Sequence, residues 1–291
     1  MKKRIAGLSL GLLLAGQAWG HSLTVSGLFD GDEGRSLTAM GRYVPLDSLT
    51  LGASVGHSRS KFEDSDEVFS GSSFGVSADV DFSAFFANAS AQRWRDSGQL
   101  RSDTLHGELG WMSDAGIAIA ALVTHRAMQV TYTTTLLGQT REREVDFKGT
   151  GFGADVSYFG TVWTAGVRFL DYDYGRNVER VREVIAASNT QRFPRLQQLI
   201  SSMATRAAGA PDREMSVMLG RQFAHMALSA ELQWQRDALT TDETRSAGLA
   251  LGFTPTKYLG VDVSAGASKT DEADTIGWVG LALTLRSVKS P

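Results

Sequence analysis

The sequence predicts an all-β fold, a transmembrane antiparallel β-barrel of about 14 strands with a helical insert in one long extracellular loop. Three observations carry that prediction. Stretches of about 8 to 12 residues alternate between apolar and small or polar side chains, as strands with one greasy and one wet face must. The connections between them alternate between long, charged segments and tight turns. After the first 20 residues no run approaches 18 consecutive apolar residues, so helices cannot do the crossing. Mean hydropathy is -0.13, which a barrel tolerates because lipid meets only every second residue.

The N-terminus sets the route. Met1-Lys2-Lys3-Arg4 is a positive n-region, 5–16 is an apolar run, and Ala18-Trp19-Gly20 is a small-x-small cleavage site. Residues 1–20 therefore read as a secretory signal peptide, leaving His21 as the mature start and 21–291 as the barrel. The chain has no cysteine, which excludes a disulfide framework or a thiolate metal site. A net charge of -3 argues against a nucleic-acid partner.

Strands are expected at 22–29, 35–44 and 49–57, with a turn-forming loop at 30–34 and a tight turn at 45–48. A long polar loop, 58–72, carries Glu63, Asp64, Asp66 and Glu67, whose spacing matches no calcium-loop motif. The fourth strand, 73–82, sets Phe74, Val76, Ala78, Val80 and Phe82 against Gly75, Ser77, Asp79 and Asp81. Strands at 85–94 and 103–112 flank a polar loop. The seventh, 117–134, slips phase near Arg126, where Met128, Val130 and Tyr132 take over the apolar positions; a β-bulge is the expected cause. A charged loop at 139–144 leads to strands at 145–159 and 162–172.

Residues 173–213 break the pattern. Leu196, Leu199, Ile200 and Met203 follow helical spacing after Pro194, predicting a helical hairpin. Loops of this length are usually functional or disordered, and this one is expected to constrict the lumen, cap its mouth or project to a partner. Strands resume at 214–223, 227–236, 246–253, 258–268 and 276–286. In 258–268, Leu259, Val261, Val263, Ala265 and Ala267 face one way, and Gly260, Asp262, Ser264, Gly266 and Ser268 the other.

Trp94, Trp111, Trp163, Trp234 and Trp278 lie near strand ends, where aromatic girdles would sit. Alternation alone leaves open which face points inward, since a soluble sandwich or lipocalin-like barrel would bury the apolar one. Long connections on one end and tight turns on the other favour the membrane barrel.

With these features the chain resembles bacterial outer-membrane β-barrel proteins, and in size and strand count the monomeric 14-stranded porins. Segments such as 49–60 also look like repeats of autotransporter β-domains. Such barrels usually end on an aromatic residue read by the assembly machinery; residues 283–291 offer none. The resemblance implies the outer membrane as location, and as partners its lipid and lipopolysaccharide, the assembly machinery and small solutes. Candidate pore-lining charges are Asp79, Glu108, Asp155, Arg168, Glu231, Asp262 and Arg286, which would select solutes by charge. His106 shares a face with Glu108, but no local motif singles out a nucleophile, and no catalytic residue, metal or cofactor is expected. The expected function is passive diffusion of small hydrophilic solutes. The alternatives are a non-conducting surface barrel and a barrel-mouth hydrolase.

Overall fold

The computed structural model describes residues 21–31, 34–61, 68–96, 100–136, 139–175, 178–179, 210–271 and 274–287. They form fourteen strands: β1 (His21–Asp30), β2 (Arg35–Leu46), β3 (Leu49–Lys61), β4 (Val68–Phe82), β5 (Phe85–Asp96), β6 (Leu100–Met112), β7 (Ile117–Leu136), β8 (Gln139–Phe159), β9 (Trp163–Asp173), β10 (Pro211–Gln222), β11 (Met226–Asp237), β12 (Glu243–Thr256), β13 (Leu259–Thr270) and β14 (Thr275–Ser287). Each pairs antiparallel with its sequence neighbours, and β1 pairs with β14, from His21↔Ser287 to Asp30↔Trp278. The sheet is therefore a closed barrel. Closure leaves no sheet edge, so every ladder group is satisfied without water, as hydrocarbon requires.

The apolar face points outward. Leu109 is 63 % exposed, Phe152 66 % and Leu232 60 %. On β13 Val263 is 47 % exposed while Asp262 is buried at 9 %. A soluble barrel would reverse these values, so the outward stripe is the lipid-facing one. At the tight-turn end Tyr43, Phe82, Phe85, Trp111, Tyr158 and Trp163 are exposed and make an aromatic girdle. Two tryptophans expected in an aromatic girdle are not in one: Trp94 and Trp278 point inward and are 3 % and 2 % exposed. Their positions on β5 and β14 have inward parity, and parity outweighs nearness to a strand end.

The strands outrun the alternation. β3 and β4 pair as far as Lys61↔Val68, where a loop from 58 to 72 was expected. β7 and β8 pair as far as Leu136↔Gln139, through the expected 139–144 loop. Beyond the lipid belt both faces of a strand can meet water, so the apolar/polar signal fades while the hydrogen-bond ladder continues. The bulge expected near Arg126 is also absent. The β7 register runs unbroken past it on both sides. Arg126 and Met128 simply keep the inward parity of Leu122 and Thr124, because the barrel interior there is apolar.

Tight turns have local causes. In the β6–β7 turn the Ser113 carbonyl accepts from the Gly116 N–H at 3.0 Å and the Ser113 hydroxyl from the Ile117 N–H at 3.1 Å. Gly116 has φ +84°, and a Cβ there would strike the Phe159 carbonyl. The signal peptide and the segment carrying Glu63 to Glu67 lie outside the described residues, as does the expected 173–213 insert apart from 173–175, 178–179 and 210–213; its ends are strand rather than loop, since β9 runs to Asp173 and β10 starts at Pro211.

Candidate functional site: the barrel interior

Inward parity places all seven candidate charges on the inner wall, but not as an even lining. Three converge. The Arg168 side chain on β9 reaches Glu108 on β6 (Nη2–Oε2, 3.1 Å) and Asp155 on β8 (Nε–Oδ2, 3.4 Å). Between them on β7, Ala120 pairs with Asp155 and Leu122 with Glu108. Asp155 also accepts from the Ser157 hydroxyl at 2.5 Å. His106 lies beside them, its Nε2 3.9 Å from Glu108 and its Nδ1 hydrogen-bonded to the Thr124 hydroxyl at 2.8 Å. One guanidinium thus sits between two carboxylates, with an imidazole at the margin. The side chains keep 12–16 % exposure, so the bridge is part of the lumen wall rather than a sealed core pair.

The other four are held separately. Asp79 accepts from Asn88 Nδ2 at 2.5 Å across the β4–β5 pair. Glu231 accepts from Gln233 Nε2 at 2.5 Å along β11. Asp262 and Arg286, on adjacent β13 and β14, are opposite charges that act on one another.

Sequence reasoning missed a second feature. At the long-connection end, inward residues of β5 to β9 form an apolar cluster that includes Trp94, Leu100, Met128, Phe147, Leu170 and Tyr172. Phe147 is 1 % exposed and Met128 2 %. Tyr172 and Tyr174 stack at 6.1 Å between centroids. The Tyr172 hydroxyl donates to Glu214 Oε2 at 3.2 Å. Burial raises the pKa of the Tyr174 hydroxyl, which follows β9, above its ordinary value, so it stays neutral. Arg126 enters this cluster, within the electrostatic reach of Glu214 and Asp237. Asp237 accepts from the Leu239 and Thr240 N–H groups (2.8 and 3.0 Å) and from the Ala210 N–H (3.3 Å). That turn tucks Leu239, 3 % exposed, into the cluster. A signal did exist: continuing the alternation of β9 past Arg168 puts Leu170 and Tyr172 inward.

Inward rings lie on inward glycines. A Cβ on Gly71 would fall within the Trp94 ring, one on Gly110 within Phe86, one on Gly151 within Tyr172 and one on Gly266 within Trp278. Glycine opposite an aromatic lets the ring lie flat on the wall instead of projecting across the lumen.

The remaining wall, from β12 through β14 and β1 to β4, is different. Its inward positions are mostly hydroxyls and glycines, such as Thr50, Gly52, Ser54, Gly56 and Ser58 along β3. The interior is therefore two-sided: a wall rich in hydroxyls and glycines, with Asp79, Asp262 and Arg286 among them, faces the wall of the Arg168 bridge, which turns apolar at one end.

Solved structures share this architecture. CymD, a monoaromatic hydrocarbon channel, aligns over 94 % of this chain and 90 % of its own at 9 % identity and a TM-score of 0.57. This is the fold of an outer-membrane β-barrel. OmpT, an outer membrane protein of Vibrio cholerae, aligns over 94 % of this chain and 99 % of its own (12 % identity, TM-score 0.49). The KdgM porin aligns over 91 % and 98 % (9 % identity, TM-score 0.44). At these identities the likeness is one of fold. No protein-family model matches the chain, and no curated protein matches its sequence.

Proposed function

We propose that this outer-membrane barrel is a porin-like passive channel for small hydrophilic solutes. The observation that carries the reading is the hydroxyl and glycine wall of β12–β14 and β1–β4. Hydroxyls replace the hydrogen bonds that a solute gives up with water, and glycines leave room for it. The Glu108–Arg168–Asp155 bridge faces that wall and sets the charge a solute meets. It holds two carboxylates to one guanidinium, so it favours cations weakly. Passage is diffusion, with no catalytic residue, metal or cofactor and no energy coupling. CymD is a monoaromatic hydrocarbon channel; the hydroxyl wall here argues for polar cargo.

Planar-bilayer recording tests this. Stepwise conductance is expected, and Arg168→Gln, by exposing two uncompensated carboxylates, should move the reversal potential in a KCl gradient toward that of K⁺. Liposomes carrying the protein should swell in small sugars. A folded, inserted protein with neither conductance nor swelling overturns the reading. The apolar cluster at the end of β5–β9 favours the second reading, a barrel closed on that side and serving as a surface structure; complete absence of conductance is its expected result.

A further inference from the structure

The His106 imidazole heads a one-way chain of hydrogen bonds on the inner wall. At its far end the Tyr172 hydroxyl gives its single proton to Glu214 Oε2, at 3.2 Å. Thr124 is also a hydrogen-bond partner of Tyr172, and toward it the Tyr172 oxygen can only accept. The Thr124 hydroxyl therefore donates to Tyr172, and its oxygen accepts from His106 Nδ1 at 2.8 Å. Each donor fixes the next. The neutral ring thus carries its proton on Nδ1 and leaves Nε2 as a bare lone pair.

That lone pair is itself buried and has no hydrogen-bond partner among the described residues. It faces another acceptor, Glu108 Oε2, 3.9 Å away. A solute cannot reach an atom without exposed surface, but a proton can sit there, and it turns Nε2 from an acceptor into a donor toward the carboxylate. The surrounding strands supply the rest of the environment. β5 sets Ser90 across from His106 and Asn88 across from Glu108. On β7 Thr124 pairs with His106 and Arg126 with Thr104, which puts Arg126 diagonal to the ring. Arg126 lies within electrostatic reach of Glu214 and Asp237. β8 and β9 contribute Asp155 and Arg168, the other two members of the bridge.

We infer that His106 is a specificity-determining residue of the channel: proton uptake at Nε2 removes the cation preference that the Arg168 bridge contributes. The inference rests on the channel reading above. With the ring neutral, one guanidinium stands against two carboxylates, and the bridge carries one negative charge. An imidazolium cancels that charge, with His106 facing Glu108 and Arg168 holding Asp155. A passing cation then loses its advantage at this point of the wall. Imidazole is the side chain whose charge changes between about pH 5 and 8, so the selectivity follows the acidity of the medium.

Reversal potentials in a KCl gradient test this, recorded at about pH 8 and about pH 5 for wild type and His106→Gln. Wild type should prefer K⁺ at the higher pH and lose much of that preference at the lower. His106→Gln, whose amide can still donate to Thr124, should change far less between the two. Carboxylates that titrate over the same range are present in both proteins, so the difference between them reports on His106. His106→Asn replaces the glutamine variant if that one does not fold. Nitrogen NMR of the histidine-labelled barrel in detergent, with the variant identifying the signal, should place the proton on Nδ1 at the higher pH. Equal pH steps in wild type and variant overturn the inference, and so does a neutral ring protonated on Nε2. An inserted barrel without conductance overturns the channel reading instead, and the role in selectivity with it.

Discussion

Single side chains on the inner wall are chosen for what lies over them. Gly71 supports the Trp94 ring, whose Nε1–H donates to the Ser58 hydroxyl at 3.3 Å. Gly71→Ala pushes the ring off the wall and should cost about 1–3 kcal/mol, the usual penalty of overpacking. Gly41 has nothing within 4 Å of where a Cβ would sit. Gly41→Ala should fall within about 0.5 kcal/mol of wild type. Urea unfolding of both in the same lipid checks the contrast, and Trp94 emission should shift only in the first. Equal behaviour of the two would refute the ring-on-glycine account. The sequence reading put Gly41 on a strand but Gly71 in the 58–72 loop, and could not show which was covered, because the partner ring comes from a neighbouring strand whose register no local pattern specifies.

At the scale of a strand, two neighbours on β13 separate the environments. Val263 faces out and Asp262 in. Val263→Lys should destabilise the inserted barrel by about 2–4 kcal/mol if the site lies near the bilayer midplane. Asp262→Asn removes one charge opposite Arg286 and should leave folding and insertion intact. Liposome insertion followed by denaturant titration measures both, and normal insertion of Val263→Lys would reverse the assignment of faces. Strand faces were legible in the sequence because lipid on one side and water on the other impose period two. Strand ends were not, as β3, β4 and β8 show: outside the lipid the two faces are alike. The β7 phase was misleading for a third reason. Met128 is apolar because it packs on other lumen residues, so hydrophobicity no longer reports the lipid side. The bridge on Arg168 was visible as three inward charges, but its convergence needed strand order, since Glu108 and Arg168 are 60 residues apart.

The whole molecule depends on one seam. β1 and β14 meet through a buried pair of hydroxyls, Thr24 and Thr284, 3.0 Å apart and 260 residues apart in sequence. Thr24→Val alone strands the partner hydroxyl and should cost about 1–3 kcal/mol, whereas Thr24→Val with Thr284→Val removes both and should cost less than the single change. A double-mutant cycle on thermal unfolding decides it; simple additivity would show that the hydroxyls do not act as a pair.

The two-sided interior also bears on the order in which the ring is made. Most of the bulky inward residues sit on β5 to β9, in hairpins whose partners are close in sequence. The middle of the seam is lined by small side chains, with Ser22 and Ser26 on β1 and Gly280 and Ala282 on β14. Joining the chain's two ends carries the largest loop-closure entropy and is the slow step of such a topology. Here that step meets large inward side chains only toward the two ends of the seam, at Trp278 and Arg286. The packed wall can form from local hairpins while the sheet is still open, and the last ladder closes like a zipper along a middle stretch of small side chains.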